Sequence, residues 1–332
     1  MLRNQTFAES ASAVNQLLDR LMPVLIPSGV LAGILFPRVF ILLRPFVPWL
    51  FGVMTLSGAI KLRARDLGKA VTDPIPVLLF FLFTHVLMPG IVFLLSRLLF
   101  SGSQDIVSGY VLLFSIPTAV SGFIWVSMYG GDPALSLTII LLDTLCAPLV
   151  VPGTVTLLLG TSLTLDMTGI TVSLFFMVVF PTLIGVLLNE ISRGKIPRII
   201  SPYVGPAAKI CLTLVVSANT SAIAAQVRLQ DPVFWLVGIT CVFLTALGFI
   251  GANLTGLIGR LNPEKRTTLF FASGLRNISA SATLAIEFFP EAAALPAILG
   301  MLCQQSLAAL LAKLFVGSGG KTRNSPDPGG TK

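Results

Sequence analysis

The chain has 332 residues, 55% of them hydrophobic and 11% charged, with a mean hydropathy of +0.92, where an average soluble domain is roughly 25% charged. That composition excludes a soluble globular domain and implies a polytopic membrane protein. The formal net charge of +8 does not point to nucleic acid, because membrane proteins gather Lys and Arg in their cytoplasmic loops.

A helix needs about 20 apolar residues to cross the hydrocarbon core, and ten such runs follow one another: 19–36, 43–60, 75–96, 108–129, 133–159, 168–189, 206–226, 232–258, 267–288 and 293–314. Residues 1–18 precede them as an expected cytoplasmic segment. The first run contains Pro23 and Pro27 and has no small-residue cleavage site, so it reads as a span and not as a cleaved signal. The third carries His85, the only histidine. The fourth contains "SIPTAVSG" (115–122), poor as a continuous helix. Ser136 and Asp143 lie in the fifth and Asn219 in the seventh. The ninth contains "ASGLRNISAS" (272–281), in which Arg276 has no acid within ten residues on either side. Cys146, Cys211, Cys241 and Cys303 sit in apolar runs without CxxC spacing, which suggests reduced packing residues and neither disulfides nor a metal site. The tail 317–332, "GSGGKTRNSPDPGGTK", has no core-forming residues and is expected to be disordered.

With the N-terminus placed in the cytoplasm, 17 of the 22 Lys and Arg residues fall inside and Arg38, Arg44, Arg97 and Arg228 outside, with Arg276 alone in mid-span. This split predicts a multi-pass inner (plasma) membrane protein with both termini cytoplasmic. The interrupted runs are the fourth of each set of five. The expected architecture is therefore all-α, with ten transmembrane helices as two inverted five-helix repeats, 19–160 and 168–315, and with helices 4 and 9 broken at Pro117 and Gly274. Matched interruptions of this kind point to a transporter's substrate site. Small residues that only let helices pack closely are the plainer explanation.

Arg276 lies about nine residues into its span, roughly 14 Å from the inner face at 1.5 Å per residue, and Asp143 and His85 are at similar depth. Ionisable groups within a bilayer are costly and mark functional sites by default. The structural alternatives are an Arg276–Asp143 ion pair, a neutral core His85 bonded to a carbonyl, and Asn219 and Ser136 as helix-packing hydrogen bonders.

With "PTAVSG" followed by "GGDPALSLTIILLDTLCAPLVVP", "PIPVLLFFLFTHVLMPG" and "SGLRN", the chain resembles the bile acid:sodium symporter family over residues 15–315. The resemblance implies organic anion transport on the ten-helix inverted-repeat fold of sodium/proton antiporters, with crossing broken helices. It also implies a panel domain of spans 1, 2, 6 and 7 and a core domain of the other six. Where sodium-using members place a Ser-Asn pair, this chain has Gly122 and Phe123. Ile140 stands for a Thr while the Ser matched by Ser136 is kept. Ala272 stands for a Glu, Arg276 for a Gln, Thr84 for a Gln, and Asp143 for a Ser. Sodium needs about five or six oxygens by the hard-cation logic, so the resemblance implies that both sodium sites are disabled.

The resulting expectation is a secondary transporter of a small organic anion, working in the lipid bilayer by alternating access without sodium, and neither an enzyme nor a cofactor protein. Arg276 would stand in for the sodium charge and offer a bidentate fork to a substrate carboxylate. Asn277, Thr118, Ser121, Gly122 and Ser279 would complete the site near the half-helix N-termini. Asp143 would neutralise Arg276 in the empty site, with His85 able to relay protons. A sodium-coupled symporter, a cation/proton antiporter of the same fold, a membrane hydrolase and a non-transporting sensor are the alternatives. The hydrolase lacks a GxSxG or HExxH motif.

Overall fold

In a computed structural model the chain is described at residues 2–67, 72–160, 165–227 and 230–317, without the side chains of 2–13, 16, 19, 20, 22, 23, 66, 67 and 226. Lys69, Arg228 and the expected disordered tail beyond Gly317 lie outside the described residues. Its helices are α1 (Leu2–Leu35), α2 (Pro37–Phe40), α3 (Val47–Ala59), α4 (Pro74–Phe81), α5 (Met88–Leu99), α6 (Gln104–Ser115), α7 (Gly122–Met128), α8 (Pro133–Leu159), α9 (Met167–Leu174), α10 (Phe180–Ile191), α11 (Lys195–Ala222), α12 (Pro232–Ile258), α13 (Pro263–Gly274), α14 (Ile278–Phe288) and α15 (Leu295–Phe315). Single π-helical stretches, Leu82–Leu87 and Phe175–Val179, join α4 to α5 and α9 to α10. Among the described residues there is no strand, only one isolated bridge.

Among the described residues seven helical stretches are long and apolar enough to cross a membrane, from Pro37–Ala59 to Glu291–Phe315. The other three expected spans correspond to α1 and to the two interrupted runs, α6–α7 and α13–α14. The expected N-terminal segment 1–18 and the first expected span lie on one helix, α1, from Leu2 to Leu35.

Local chemistry explains several helix starts. Asp132, Asp231 and Asn262 each precede a proline, and their side chains accept from Leu135 N (3.1 Å), Val233 N (2.8 Å) and Lys265 N (3.0 Å). A short polar N-cap satisfies one orphan donor, and proline at the first helical position has no N–H to lose. These pairs begin α8, α12 and α13.

Packing divides the helices. α1, α3, α10 and α11 pack mainly on one another, while α12 packs on α13 and α15. On α1, Gly29 and Gly33 let the backbone approach α11, where Ser217 Oγ donates to Gly29 O at 3.0 Å. On α6, Gly109 meets the turn before α15, and an added Cβ would lie 2.1 Å from the carbonyl oxygen of Ala293. Backbone cannot step aside as a side chain can. Gly109→Ala should therefore destabilise by about 1–3 kcal/mol, the usual cost of overpacking. Gly90→Ala on α5, with nothing within 4 Å, should be neutral or stabilising. Thermal unfolding of both variants in detergent checks the contrast.

Candidate functional site

The site is built where the two interruptions meet. Pro117 forces its neighbour Ile116 into an extended conformation (φ −61°, ψ 147°), because the ring excludes a helical residue before it; α6 therefore ends at Ser115. The second break follows Gly274, whose missing side chain admits the Phe249 ring, 2.0 Å from where a Cβ would sit. Leu275 is extended (φ −97°, ψ 96°), and Asn277 restarts the chain as N-cap of α14.

The extended segments pair as a single antiparallel bridge, Thr118 to Arg276. Ala119 N donates to Leu275 O (2.8 Å) and Asn277 N to Pro117 O (3.0 Å), and Thr118 Oγ1 adds a bond to Leu275 O at 3.1 Å. The outward-facing peptide groups are satisfied by side chains of the helices that follow each break. From α8, Asp143 Oδ2 accepts from Thr118 N at 2.7 Å. From α15, Gln304 Oε1 accepts from Arg276 N at 3.0 Å while its Nε2 donates to Arg276 O at 3.1 Å. Non-helical backbone at membrane depth is stable only when such partners replace the helical ones.

The charged side chains are deeply buried. Asp143 is 1% exposed, Arg276 3% and His85 9%. The other oxygen of Asp143, Oδ1, pairs with His85 Nε2 at 2.7 Å. His85 lies in the π-helical stretch against the Phe80 and Phe81 rings, and its Nδ1 has no partner. Arg276 directs Nη2 at two main-chain oxygens, Thr84 O at 2.8 Å and Phe114 O. Its Nε and Nη1 are buried without hydrogen-bond partners. Thr245, Ile278 and Gln304 close around it between the helices.

Two expectations about contacts are corrected by this geometry. Arg276 and Asp143 do not form a direct ion pair, because the carboxylate is taken by His85 and Thr118 N and the guanidinium by carbonyls. Nη2, which both edges of the guanidinium fork share, donates to Thr84 O and Phe114 O. A plain carbonyl partner for His85 is replaced by a carboxylate. The helix-packing reading of Asn219 is met, with Nδ2 donating to Thr283 Oγ1 on α14 at 3.0 Å.

Accessibility sorts the other expected residues. Thr118 and Gly122 are buried with the charges, Ser121 is exposed, and Asn277 and Ser279 are half-buried. Ser136, Ile140 and Ala272 are buried, the last two in apolar clusters. The four cysteines are free thiols. Among the described residues no group of three His, Cys, Asp or Glu side chains could hold a metal ion. Gln304 was missed by sequence reading. Its only signal there was an amide midway along the tenth apolar run.

Comparison with known proteins gives the context. Residues 47–228 match the Sodium Bile acid symporter family. The uncharacterized protein YbaS of Bacillus subtilis (strain 168) is 36% identical over 289 residues, 87% of this chain and 94% of its own length. The probable sodium/metabolite cotransporter BASS3, chloroplastic, of Arabidopsis thaliana is 23% identical over 93% of this chain and 72% of its own. The uncharacterized sodium-dependent transporter YocS of Bacillus subtilis (strain 168) is 21% identical over 80% of this chain and 81% of its own.

Proposed function

We propose, from the premise that this chain belongs to the sodium bile acid symporter family and is a multi-pass membrane transporter, that it carries a small organic anion by alternating access without sodium. The observation that carries the reading is the placement of Arg276 Nη2 on Thr84 O and Phe114 O. Phe114 O belongs to the last turn of α6, and carbonyls at the C-terminal ends of discontinuous helices are what coordinate the coupling cation in transporters. A guanidinium held there supplies permanently the positive charge that sodium would bring. The positions where sodium-using members place their oxygen donors hold Gly122, Phe123, Ile140 and Ala272 here.

The substrate carboxylate rests on the accessible polar groups of the crossing, Ser121 at the start of α7 and Asn277 and Ser279 at the N-terminal end of α14, whose dipole favours negative charge. Arg276, Thr118 and Gly122 lie beneath it. Arg276 acts through a short depth of low-dielectric protein, where an uncompensated charge is felt far more strongly than in water.

Ten crossings in two inverted halves are supported by the pairing at the break. In each half the span after the interruption sends one mid-helix side chain back to the interrupted peptide, Asp143 to Thr118 and Gln304 to Arg276. The mutual packing of α1, α3, α10 and α11 supports a panel set apart from a core. Cytoplasmic termini in a plasma membrane agree with the clustering of expected inner segments at one end. There Lys265 pairs with Asp73 at 2.6 Å, Ala64 N donates to Glu190 Oε1 at 2.8 Å, and Asn189 Nδ2 donates to Leu62 O at 2.9 Å.

The test is uptake of labelled cholate and pyruvate, one bulky and one small carboxylate, into proteoliposomes. Rates should be unchanged when sodium is replaced by choline. A steep dependence on sodium overturns the sodium-free reading, and absence of uptake for a wider carboxylate panel overturns the anion reading.

A further inference from the structure

The twin positions Asp143 and Gln304 do the same structural work with different chemistry. Each accepts a hydrogen bond from the outward peptide N–H of a helix break, at 2.7 Å and 3.0 Å. Gln304 shows that a neutral amide is sufficient for that task. Asp143 instead places a carboxylate there, 1% exposed, and bonds it to the chain's single histidine at 2.7 Å. A buried acid costs more than an amide, so its charge answers a need other than helix breaking.

Proton accounting identifies that need. With His85 neutral, Nε2–H donates to Asp143 Oδ1, and Asp143 and Arg276 together carry no net charge. Nδ1 retains a free lone pair, with no partner in its buried surroundings. One added proton on Nδ1 makes an imidazolium–carboxylate pair and leaves the buried centre at +1, which a bound carboxylate then neutralises. The ionisable groups facing the pair are Arg276 from the second break, held on the carbonyl of Thr84 next to His85, and Cys146 one turn along α8 from Asp143. Phe80 and Phe81 from α4 contribute only rings. Asp143 joins this titration to the crossing, since its second oxygen holds Thr118 N in the bridge between the broken helices.

We infer that His85 and Asp143 form a proton-binding dyad that couples one proton to each transported anion. The inference rests on the anion-carrier reading above. By linkage, a proton that favours the anion is favoured by it to the same degree.

The single histidine makes the test free of assignment. Protein labelled with ¹⁵N-histidine, prepared without a histidine tag, is titrated by NMR first without ligand. One imidazole should gain a proton as the pH is lowered across the range in which the protein stays folded. Its midpoint should fall in Asp143→Asn, where the carboxylate that favours the imidazolium is gone. Saturating cholate or pyruvate, whichever stabilises the protein thermally, should raise the wild-type midpoint by about one unit, a tenfold coupling within the usual range. An imidazole that stays neutral throughout overturns the dyad, and that result needs no variant and no substrate. A midpoint unmoved by a carboxylate that does bind overturns the coupling. If the imidazole titrates as expected while no carboxylate binds, the anion reading falls, and with it the coupling.

Discussion

Arg276→Gln should lose about 3–5 kcal/mol of stability, seen as a large drop in thermal unfolding temperature in detergent. Two effects add. Thr84 O and Phe114 O lose a charged donor, worth about 1.5–3 kcal/mol for a hydrogen bond to a charged group. The His85–Asp143 pair loses the one buried positive charge near it, and an uncompensated buried charge costs several kcal/mol. Arg276→Lys separates charge from shape. A planar fork gripping a carboxylate predicts poor rescue by lysine. In the structure only Nη2 makes hydrogen bonds, a task one ammonium nitrogen performs, so lysine should recover more than half of the lost stability. Equal loss in the lysine and glutamine variants contradicts the tethered-cation role.

Asp143 should show a graded series. Asp143→Asn keeps an oxygen for Thr118 N but leaves Arg276 uncompensated, at a cost of about 3 kcal/mol or more. Asp143→Ala also strands the Thr118 N–H, adding about 1–3 kcal/mol for an unsatisfied buried donor. Combining Asp143→Asn with Arg276→Gln restores a core without net charge. The double variant should be more stable than the sum of the single losses by well over the 0.5 kcal/mol within which independent sites add. Additive losses would mean that the two charges, which do not touch, do not sense one another.

Much of the fold was legible because membrane helices announce themselves by length and apolarity. The eighth run, read as 232–258, is α12 residue for residue, and the fifth is α8. Pro117 and the Gly274 region marked the breaks because proline and glycine act locally, through a missing N–H and a missing Cβ. Depth along each helix put Arg276, Asp143 and His85 at one expected level, and in the structure His85 bonds to Asp143 while Arg276 reaches the carbonyl of Thr84 beside it. Depth does not fix direction around the helix axis, however. The π-helical stretch Leu82–Leu87 changes the register of that direction and turns His85 to Asp143, while Thr84 offers its carbonyl to Arg276. A sequence pattern of apolar residues carries no mark of such a turn. Gln304 escaped notice for the opposite reason to Arg276. A neutral amide in an apolar run costs little, so nothing in the composition singles it out until its peptide partner across the break is seen.

The central claim is that a fixed positive charge replaces sodium in recognising an anion. Its most direct test is the thermal stabilisation of wild type and Arg276→Lys by a carboxylate and by its uncharged amide, in choline buffer without sodium, with Arg276→Gln as the charge-free comparison. Bound ligand stabilises with the logarithm of its concentration over Kd, so the shifts report affinity. The two charged proteins should prefer the acid by about one to two decades in Kd, and Arg276→Gln should bind acid and amide alike. Wild type that prefers the acid only when sodium is added, or Arg276→Gln that still prefers it in choline, would contradict the account.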